Sequence, residues 1–142
     1  MKIRPILIAL FAFFGMVDAL YLSMKRNAGP IPCHITRGCT DVLTSKYSEI
    51  AGVPLSWIGL AFYVTIFSLA IFKIFENPEG PSGVPLRGIF YLSGTALIIS
   101  ALLVGIQAFI LKAFCEYCLL SAALVLSVFL LCPHPVPHKP RE

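Results

Sequence analysis

Charged residues are scarce in this chain of 142 residues. They make up 13% of the sequence, whereas 58% of it is hydrophobic and the mean hydropathy is +0.86. Soluble domains carry roughly 45–50% apolar and about 25% charged residues, so this composition excludes an ordinary soluble enzyme and a disordered chain. The net charge of +4 is scattered between apolar blocks and forms no basic face, which excludes a nucleic-acid-binding domain. The composition therefore predicts an integral membrane protein.

Four apolar blocks are separated by segments rich in glycine and proline. Each block is close to the roughly 20 residues that a helix needs to cross a hydrocarbon core. We therefore predict an all-α fold, an integral membrane four-helix bundle with one long external loop, in a single domain over residues 1–132. The expected spans are about 5–22, 55–75, 89–111 and 114–132. Prolines, which cannot continue a helix, recur in residues 133–142, and we expect a disordered tail there.

The first block also has features of a cleaved signal peptide. Lys2 and Arg4 precede the apolar run, and Val17-Asp18-Ala19 is a tolerable cleavage site. The block is nevertheless long enough to cross the bilayer, and its removal would leave the cysteine groups on opposite sides of the membrane. We therefore keep it as the first span.

The parity of four spans places four of the five cysteines on one side of the membrane. Cys33 and Cys39 lie in the first loop, and Cys115 and Cys118 lie at the start of the fourth helix. Cys132 lies about 21 Å further along that helix and is predicted to be a small buried hydrophobe. Basic residues divide almost evenly between the two sides, so they do not set the orientation. Because paired cysteines persist in oxidising compartments, we expect the four-cysteine side to be extracytoplasmic and both termini to be cytoplasmic.

The Cys115-x-x-Cys118 motif at a helix start favours thiol–disulfide exchange. Residues three apart in the first turn share a face, and the N–H groups of a helix start stabilise a thiolate. A thiolate is the species that attacks a disulfide. The second pair, Cys33 and Cys39, lies on a loop that is able to move relative to the first pair. A structural zinc site and inert structural disulfides are the alternatives for these four cysteines.

The cysteines belong to a longer pattern, made up of Cys33, Gly38-Cys39, Ser45, Gly52-Val53-Pro54-Leu55-Ser56 and Cys115-x-x-Cys118. This pattern resembles the vitamin K epoxide reductase family over nearly the whole chain. The resemblance implies a membrane four-helix bundle that couples a quinone (ubiquinone, menaquinone or a related one) to disulfide formation. It also implies a thioredoxin-fold protein as the electron donor, with neither a metal nor a nucleic acid involved.

The resemblance also implies a role for each matching residue. Cys33 would meet the thioredoxin-fold partner, and Cys39 would exchange with Cys115. Cys118 would face the quinone. Ser45 would help to order the loop that covers the quinone pocket. Together these roles describe a membrane thiol:quinone oxidoreductase that reoxidises a thioredoxin-fold partner.

Two departures from the family pattern narrow this expectation. Leu55 and Ala122 stand where members that reduce vitamin K epoxide have an Asn and a Tyr, and neither residue is able to donate a hydrogen bond to a substrate oxygen. Epoxide reduction is therefore the alternative enzymatic activity, and a structural membrane protein is the non-enzymatic one. Many bacterial members continue into a thioredoxin-like domain, whereas this sequence stops after the fourth block. We expect a prokaryotic stand-alone homologue whose partner is a separate chain.

Four further residues are candidates for supporting roles. Asp18 lies inside the first span, where an ionisable group either pairs within the bundle or assists proton transfer to a quinone. Tyr117 lies between two cysteines and either contacts the quinone ring or belongs to an interfacial aromatic belt. Gln107 is expected to form an interhelical hydrogen bond. His34 either helps Cys33 to ionise or is a solvated loop residue.

Overall fold

The computed structural model describes residues 3–35, 37–76 and 84–132, so the predicted tail lies outside the described residues. Within these ranges the chain is almost entirely helical. The helices are α1 (Ile3–Lys25), α2 (Cys39–Leu43), α3 (Leu55–Phe75), α4 (Val84–Ile106) and α5 (Glu116–Leu131). A 3-10 turn (Lys46–Ser48) and two short antiparallel strands, β1 (Glu49–Ile50) and β2 (Val53–Pro54), complete the loop between α1 and α3.

The four long helices form a closed bundle. α1 packs against α3 and α5, and α4 packs against the same two helices. The core contains buried side chains from all four, including Ile8, Ile66, Ile89 and Val128. Large apolar side chains also cover the outside of the bundle, as expected when the surroundings are lipid. The predicted all-α membrane bundle is thereby confirmed.

In the part of the chain that the structure describes, three helical segments are long and apolar enough to cross a membrane. These are α1, α3 and Pro85–Leu111, which joins α4 to a five-residue π-helical turn at Gln107–Leu111. α5 is also apolar but has only 16 residues. It begins no earlier than Glu116 because Lys112 adopts a left-handed conformation (φ 49°) and Cys115 is extended.

A close contact between α1 and α3 sets the spacing of the bundle. Gly15 lies directly against the ring of Tyr63, and a Cβ atom at this glycine would overlap that ring. The Tyr63 hydroxyl in turn lies 3.0 Å from the carbonyl oxygen of Ser121 and 2.8 Å from its Oγ, which links α3 to α5. The absence of a side chain at Gly15 therefore lets three helices meet at one aromatic residue.

Candidate dithiol site

The loop between α1 and α3 covers one end of the bundle and encloses all four predicted redox cysteines in one apolar cluster. Cys39 and Cys115 are fully buried there, whereas Cys33 and Cys118 are partly buried and pack against the cluster. A disulfide joins Cys33 to Cys39, with their Cα atoms 6.0 Å apart. Cys115 and Cys118 are not disulfide-bonded. The structure thus brings two pairs that lie far apart in sequence into one cluster.

Gly38 allows Cys39 to approach the second pair. It precedes the first residue of α2 and lies against the turn that leads into α5. A Cβ atom at Gly38 would lie 2.7 Å from Cβ of Ala113 and 2.8 Å from the backbone nitrogen of Phe114, both too close for a normal contact. Since Phe114 directly precedes Cys115, the bare backbone of Gly38 places Cys39 and Cys115 in the same buried cluster.

Cys115 is held by hydrogen bonds on both sides. Its backbone N–H donates to Oε1 of Gln107 at 3.1 Å, and its Sγ accepts from the backbone N–H of Cys118 at 3.3 Å. Cys115 lies just ahead of α5, where the N–H groups of a helix start stabilise a thiolate, the reactive form in disulfide exchange.

A cavity of about 330 Å³ lies below the loop, between the helices. Its volume is within the range of small-molecule sites, and most of its wall is apolar. The polar and sulfur-bearing residues in the wall include Asp18, Ser45, Ser56, Tyr63, Gln107, Cys118 and Ser121. Cys118 therefore belongs both to the cysteine cluster and to the cavity.

Two polar atoms in the cavity wall are buried and have no hydrogen-bond partner among the described residues. Asp18 is 8% exposed. Among the described residues, neither Oδ2 of Asp18 nor Oγ of Ser56 has a hydrogen-bond partner. A buried polar atom without a partner costs free energy, so such atoms mark a place where a ligand's polar group would fit.

The part of the loop that covers the cavity is ordered by its own hydrogen bonds. Oγ of Ser45 donates to the carbonyl of Val42 at 2.7 Å, and the Ser45 carbonyl accepts from Oγ of Ser48 at 2.8 Å. The Arg26 guanidinium, at the end of α1, donates to Oγ of Ser48 at 3.2 Å and forms an ion pair with Glu49. Ser45 thus lies in a turn of the loop and in the cavity wall at once.

The remaining sequence candidates lie outside the cavity wall described above. The ring centroids of Tyr117 and Tyr21 lie 5.3 Å apart, and the Tyr117 hydroxyl donates a hydrogen bond to a backbone carbonyl of the loop. His34 is exposed beside Cys33. Cys132 is buried in the bundle core, where its Sγ lies 4.0 Å from the carbonyl oxygen of Leu86.

A metal would compete with the disulfide for the same atoms. The sulfurs of Cys33 and Cys39 and a carboxylate oxygen of Glu116 lie within 4.8 Å of one another. In the disulfide both sulfurs are bonded to each other, whereas zinc binds thiolates. Metal binding at this group would therefore require the disulfide to be reduced first.

Three residues shape this site in ways that the sequence analysis does not predict. It predicts an interhelical hydrogen bond for Gln107, but it does not identify the backbone N–H of Cys115 as the partner. Gly38 was noticed only as part of a motif. No pattern in the sequence assigns a role to Glu116, which stands between Cys115 and Tyr117. A buried glutamine and a glycine beside a cysteine are visible signals, whereas nothing local marks Glu116.

Two comparisons with known proteins match most of the chain. The family model described as the Vitamin K epoxide reductase family matches residues 6–132. The chain is also 36% identical over 125 residues to the Thiol-disulfide oxidoreductase LTO1 of Arabidopsis thaliana. That match covers 82% of this chain and 32% of the plant protein, so the chain spans about a third of its relative's length.

Proposed function

The chain belongs to the vitamin K epoxide reductase family, and we propose that it is a membrane thiol:quinone oxidoreductase that reoxidises a thioredoxin-fold protein. The observation that carries the proposal is the shared position of the two cysteine pairs. Both pairs lie in one buried cluster, and Cys118 also faces the cavity. This arrangement offers a continuous route for electrons from the loop to a ligand held within the bundle.

The relay begins at the loop. A thiolate of the donor attacks Sγ of Cys33, which is the less buried member of its pair, and Cys39 leaves as a thiolate. The second thiolate of the donor then attacks the mixed disulfide, so the donor leaves oxidised and Cys33 is released. Two electrons have now passed to Cys33 and Cys39.

The second exchange moves those electrons to the head of α5. The Cys39 thiolate attacks Sγ of Cys115 in a Cys115–Cys118 disulfide, and Cys118 leaves as a thiolate at the cavity wall. Cys33 then attacks Cys39, which restores the loop disulfide and releases Cys115. Cys115 and Cys118 now hold both electrons, and the sulfur of Cys118 lies beside the cavity.

The cavity fits a quinone headgroup as electron acceptor. A bound quinone would accept two electrons and two protons from Cys115 and Cys118, which would restore the disulfide between them for the next cycle, and the apolar wall suits a flat ring. An ionised, unpaired carboxylate is costly within a membrane, whereas a protonated Asp18 is able to donate a hydrogen bond to a ring oxygen. We assign this role to Asp18. Leu55 also lines the cavity but has no donor, which disfavours epoxide reduction.

The proposal also includes a topology. The cysteine cluster would face the extracytoplasmic side, because a disulfide between Cys33 and Cys39 persists in an oxidising compartment. Both termini would then be cytoplasmic.

The test is quinone reduction by the purified protein in detergent, with a reduced thioredoxin-fold protein as donor. Wild type should turn over, whereas Cys33→Ser and Cys118→Ser should stall. Cys118→Ser should also accumulate a Cys39–Cys115 disulfide, visible by mass spectrometry. Cys132→Ser, at the far end of the bundle, is the matched control and should remain active. If wild type passes electrons to neither ubiquinone nor menaquinone while the variants only lose stability, the cysteines are structural.

Asp18 is tested in the same assay. Asp18→Leu should slow quinone reduction by about tenfold, the loss expected for one hydrogen bond to the acceptor. Asp18→Asn keeps a donor and should recover most of the rate. Equal loss in both variants, or none in either, would contradict the assigned role.

A further inference from the structure

Glu116 connects the second cysteine pair to the loop that carries the first. It follows Cys115 directly, as the first residue of α5. Its Oε1 accepts the backbone N–H of His34 at 2.9 Å, and its Oε2 accepts the backbone N–H of Ile35 at 2.7 Å. Both donors come immediately after Cys33. One carboxylate therefore binds two consecutive backbone groups of the loop, and hydrogen bonds to an ionised acceptor are the stronger kind.

Tyr117 binds the same loop on the other side of Cys33. Its hydroxyl donates to the carbonyl oxygen of Pro32 at 3.1 Å. Its ring also lies against Tyr21 of α1, which fixes the direction of the hydroxyl. The two residues between the cysteines of the motif thus hold the loop before and after Cys33.

The carboxylate also lies beside the disulfide itself. A side-chain oxygen of Glu116 and the sulfurs of Cys33 and Cys39 are within 4.8 Å of one another. Glu116 is therefore adjacent to the loop pair through space and to Cys115 through the chain. Among the described residues, no other acidic side chain is grouped with these sulfurs.

We propose that Glu116 is a positioning residue for disulfide exchange, one that docks the Cys33 loop on the head of α5 and holds the loop pair beside Cys115. The inference rests on the proposed relay, because it assigns a role within that relay. The docking matters most when the loop disulfide is open. The bond between the sulfurs of Cys33 and Cys39 is then absent, so beyond the short stretch of chain between these residues only non-covalent contacts hold Cys33 near enough to restore it.

Effective concentration explains the expected size of the effect. Holding two reacting groups in place turns an encounter into an intramolecular step, and a displacement of about 1 Å can cost up to about a hundredfold in rate. The segment from Pro30 to Cys33 has no regular secondary structure. Without Glu116, the position of this segment near the sulfurs would depend on Tyr117, on the hydrogen bond from the backbone N–H of Ile31 to Oγ1 of Thr40 at 3.2 Å, and on the burial of the Ile31 side chain.

Three variants separate docking from other effects. Glu116→Ala removes both acceptors, whereas Glu116→Gln keeps one amide oxygen and so one of the two hydrogen bonds. Asp41→Asn removes an exposed carboxylate in α2, on the same loop, and is the matched control for charge. Melting curves in detergent establish that each variant is folded before its rates are compared.

Two rates are measured on each variant. The first is transfer from the reduced thioredoxin-fold donor to Cys115 and Cys118, in protein oxidised beforehand at both cysteine pairs, followed by rapid alkylation and mass spectrometry without any quinone. The second is oxidation of the pre-reduced protein by ubiquinone-1. Glu116→Ala should slow the first rate by about tenfold to a hundredfold and leave the second unchanged. Glu116→Gln should fall between Glu116→Ala and wild type, and Asp41→Asn should match wild type.

The outcomes also separate this inference from the proposed function. If Glu116→Ala transfers electrons from the donor to Cys115 and Cys118 at the wild-type rate, the docking role is overturned. An equal fall in both rates would overturn it as well, since it would indicate a general structural defect. If wild type reduces no quinone but exchanges normally between its cysteine pairs, the quinone assignment fails, while the alkylation measurement still decides the role of Glu116.

Discussion

The core of the bundle and its cysteine end are held together by different kinds of contact. In the bundle core, buried apolar side chains from all four long helices pack together, and a hydroxyl such as that of Ser93 bonds to its own helix, at 2.6 Å from the carbonyl of Ile89. At the cysteine end, side chains bond to the backbone of distant segments. Gln107 binds Cys115, and Glu116 binds the loop across more than 80 residues of sequence.

This difference separates stability from chemistry. The apolar side chains of the core hold the helices together by close van der Waals packing, because lipid offers no hydrophobic driving force between helices. The directed hydrogen bonds of the cysteine end involve few atoms, but they determine where each sulfur lies. We therefore expect core substitutions to unfold the protein and substitutions near the cysteines to slow electron transfer in a protein that stays folded. Three glycines, each replaced by alanine, make this expectation testable.

Gly38→Ala should give the largest effect on transfer. The new methyl group would meet Ala113 at 2.7 Å and the backbone nitrogen of Phe114 at 2.8 Å, so α2 must move away from the turn that precedes Cys115. We expect exchange between the cysteine pairs to fall by about a hundredfold. The free energy of unfolding should fall by less than about 1 kcal/mol, because the loop is able to retreat towards the surface. Single-turnover alkylation and thermal unfolding measure the two quantities. A large loss of stability with a normal rate of exchange would contradict this prediction, because Gly38 would then serve folding rather than electron transfer.

Gly15→Ala should give the opposite result. The added Cβ would overlap the ring of Tyr63, which is fully buried and bonded to Ser121. Overpacking of this kind typically costs about 1–3 kcal/mol. We expect a lower melting temperature in detergent but normal exchange in the molecules that remain folded. The cause can be isolated in a Tyr63→Ala background, where the same substitution should cost much less. An equal cost in both backgrounds would show that the ring is not responsible.

Much of the architecture followed from the sequence because hydropathy is a local signal. Apolar blocks of nearly constant length predicted the helices, and the number of blocks placed Cys33, Cys39, Cys115 and Cys118 on one side. That inference needs only the direction of each helix and no knowledge of packing. The family resemblance then supplied the expected roles of the cysteines, which stay predictions.

The finer geometry of the site was not predictable in this way. The start of α5 depends on the π-helical turn after α4 and on the left-handed conformation of Lys112, a residue type that does not usually mark such a position. The contact between Glu116 and the loop depends on the path of an irregular segment. The cavity depends on how far apart four helices pack, which is decided by close contacts such as that of Gly15 with Tyr63.

Gly59→Ala should give the smallest effect and so define the boundary between the two regions. Gly59 lies in α3 at the cavity wall, and a Cβ atom there would meet no heavy atom within 4 Å. Because alanine favours a helix over glycine by about 1 kcal/mol, the variant should unfold slightly less readily than wild type. Its methyl group would occupy part of the cavity, so KM for ubiquinone-1 should rise by less than about tenfold, with unchanged exchange between the cysteine pairs. Slower exchange at normal KM would instead mean that the cavity is not where the acceptor binds. If these three expectations hold, the same substitution acts on transfer at Gly38, on folding at Gly15 and only weakly, through acceptor binding, at Gly59.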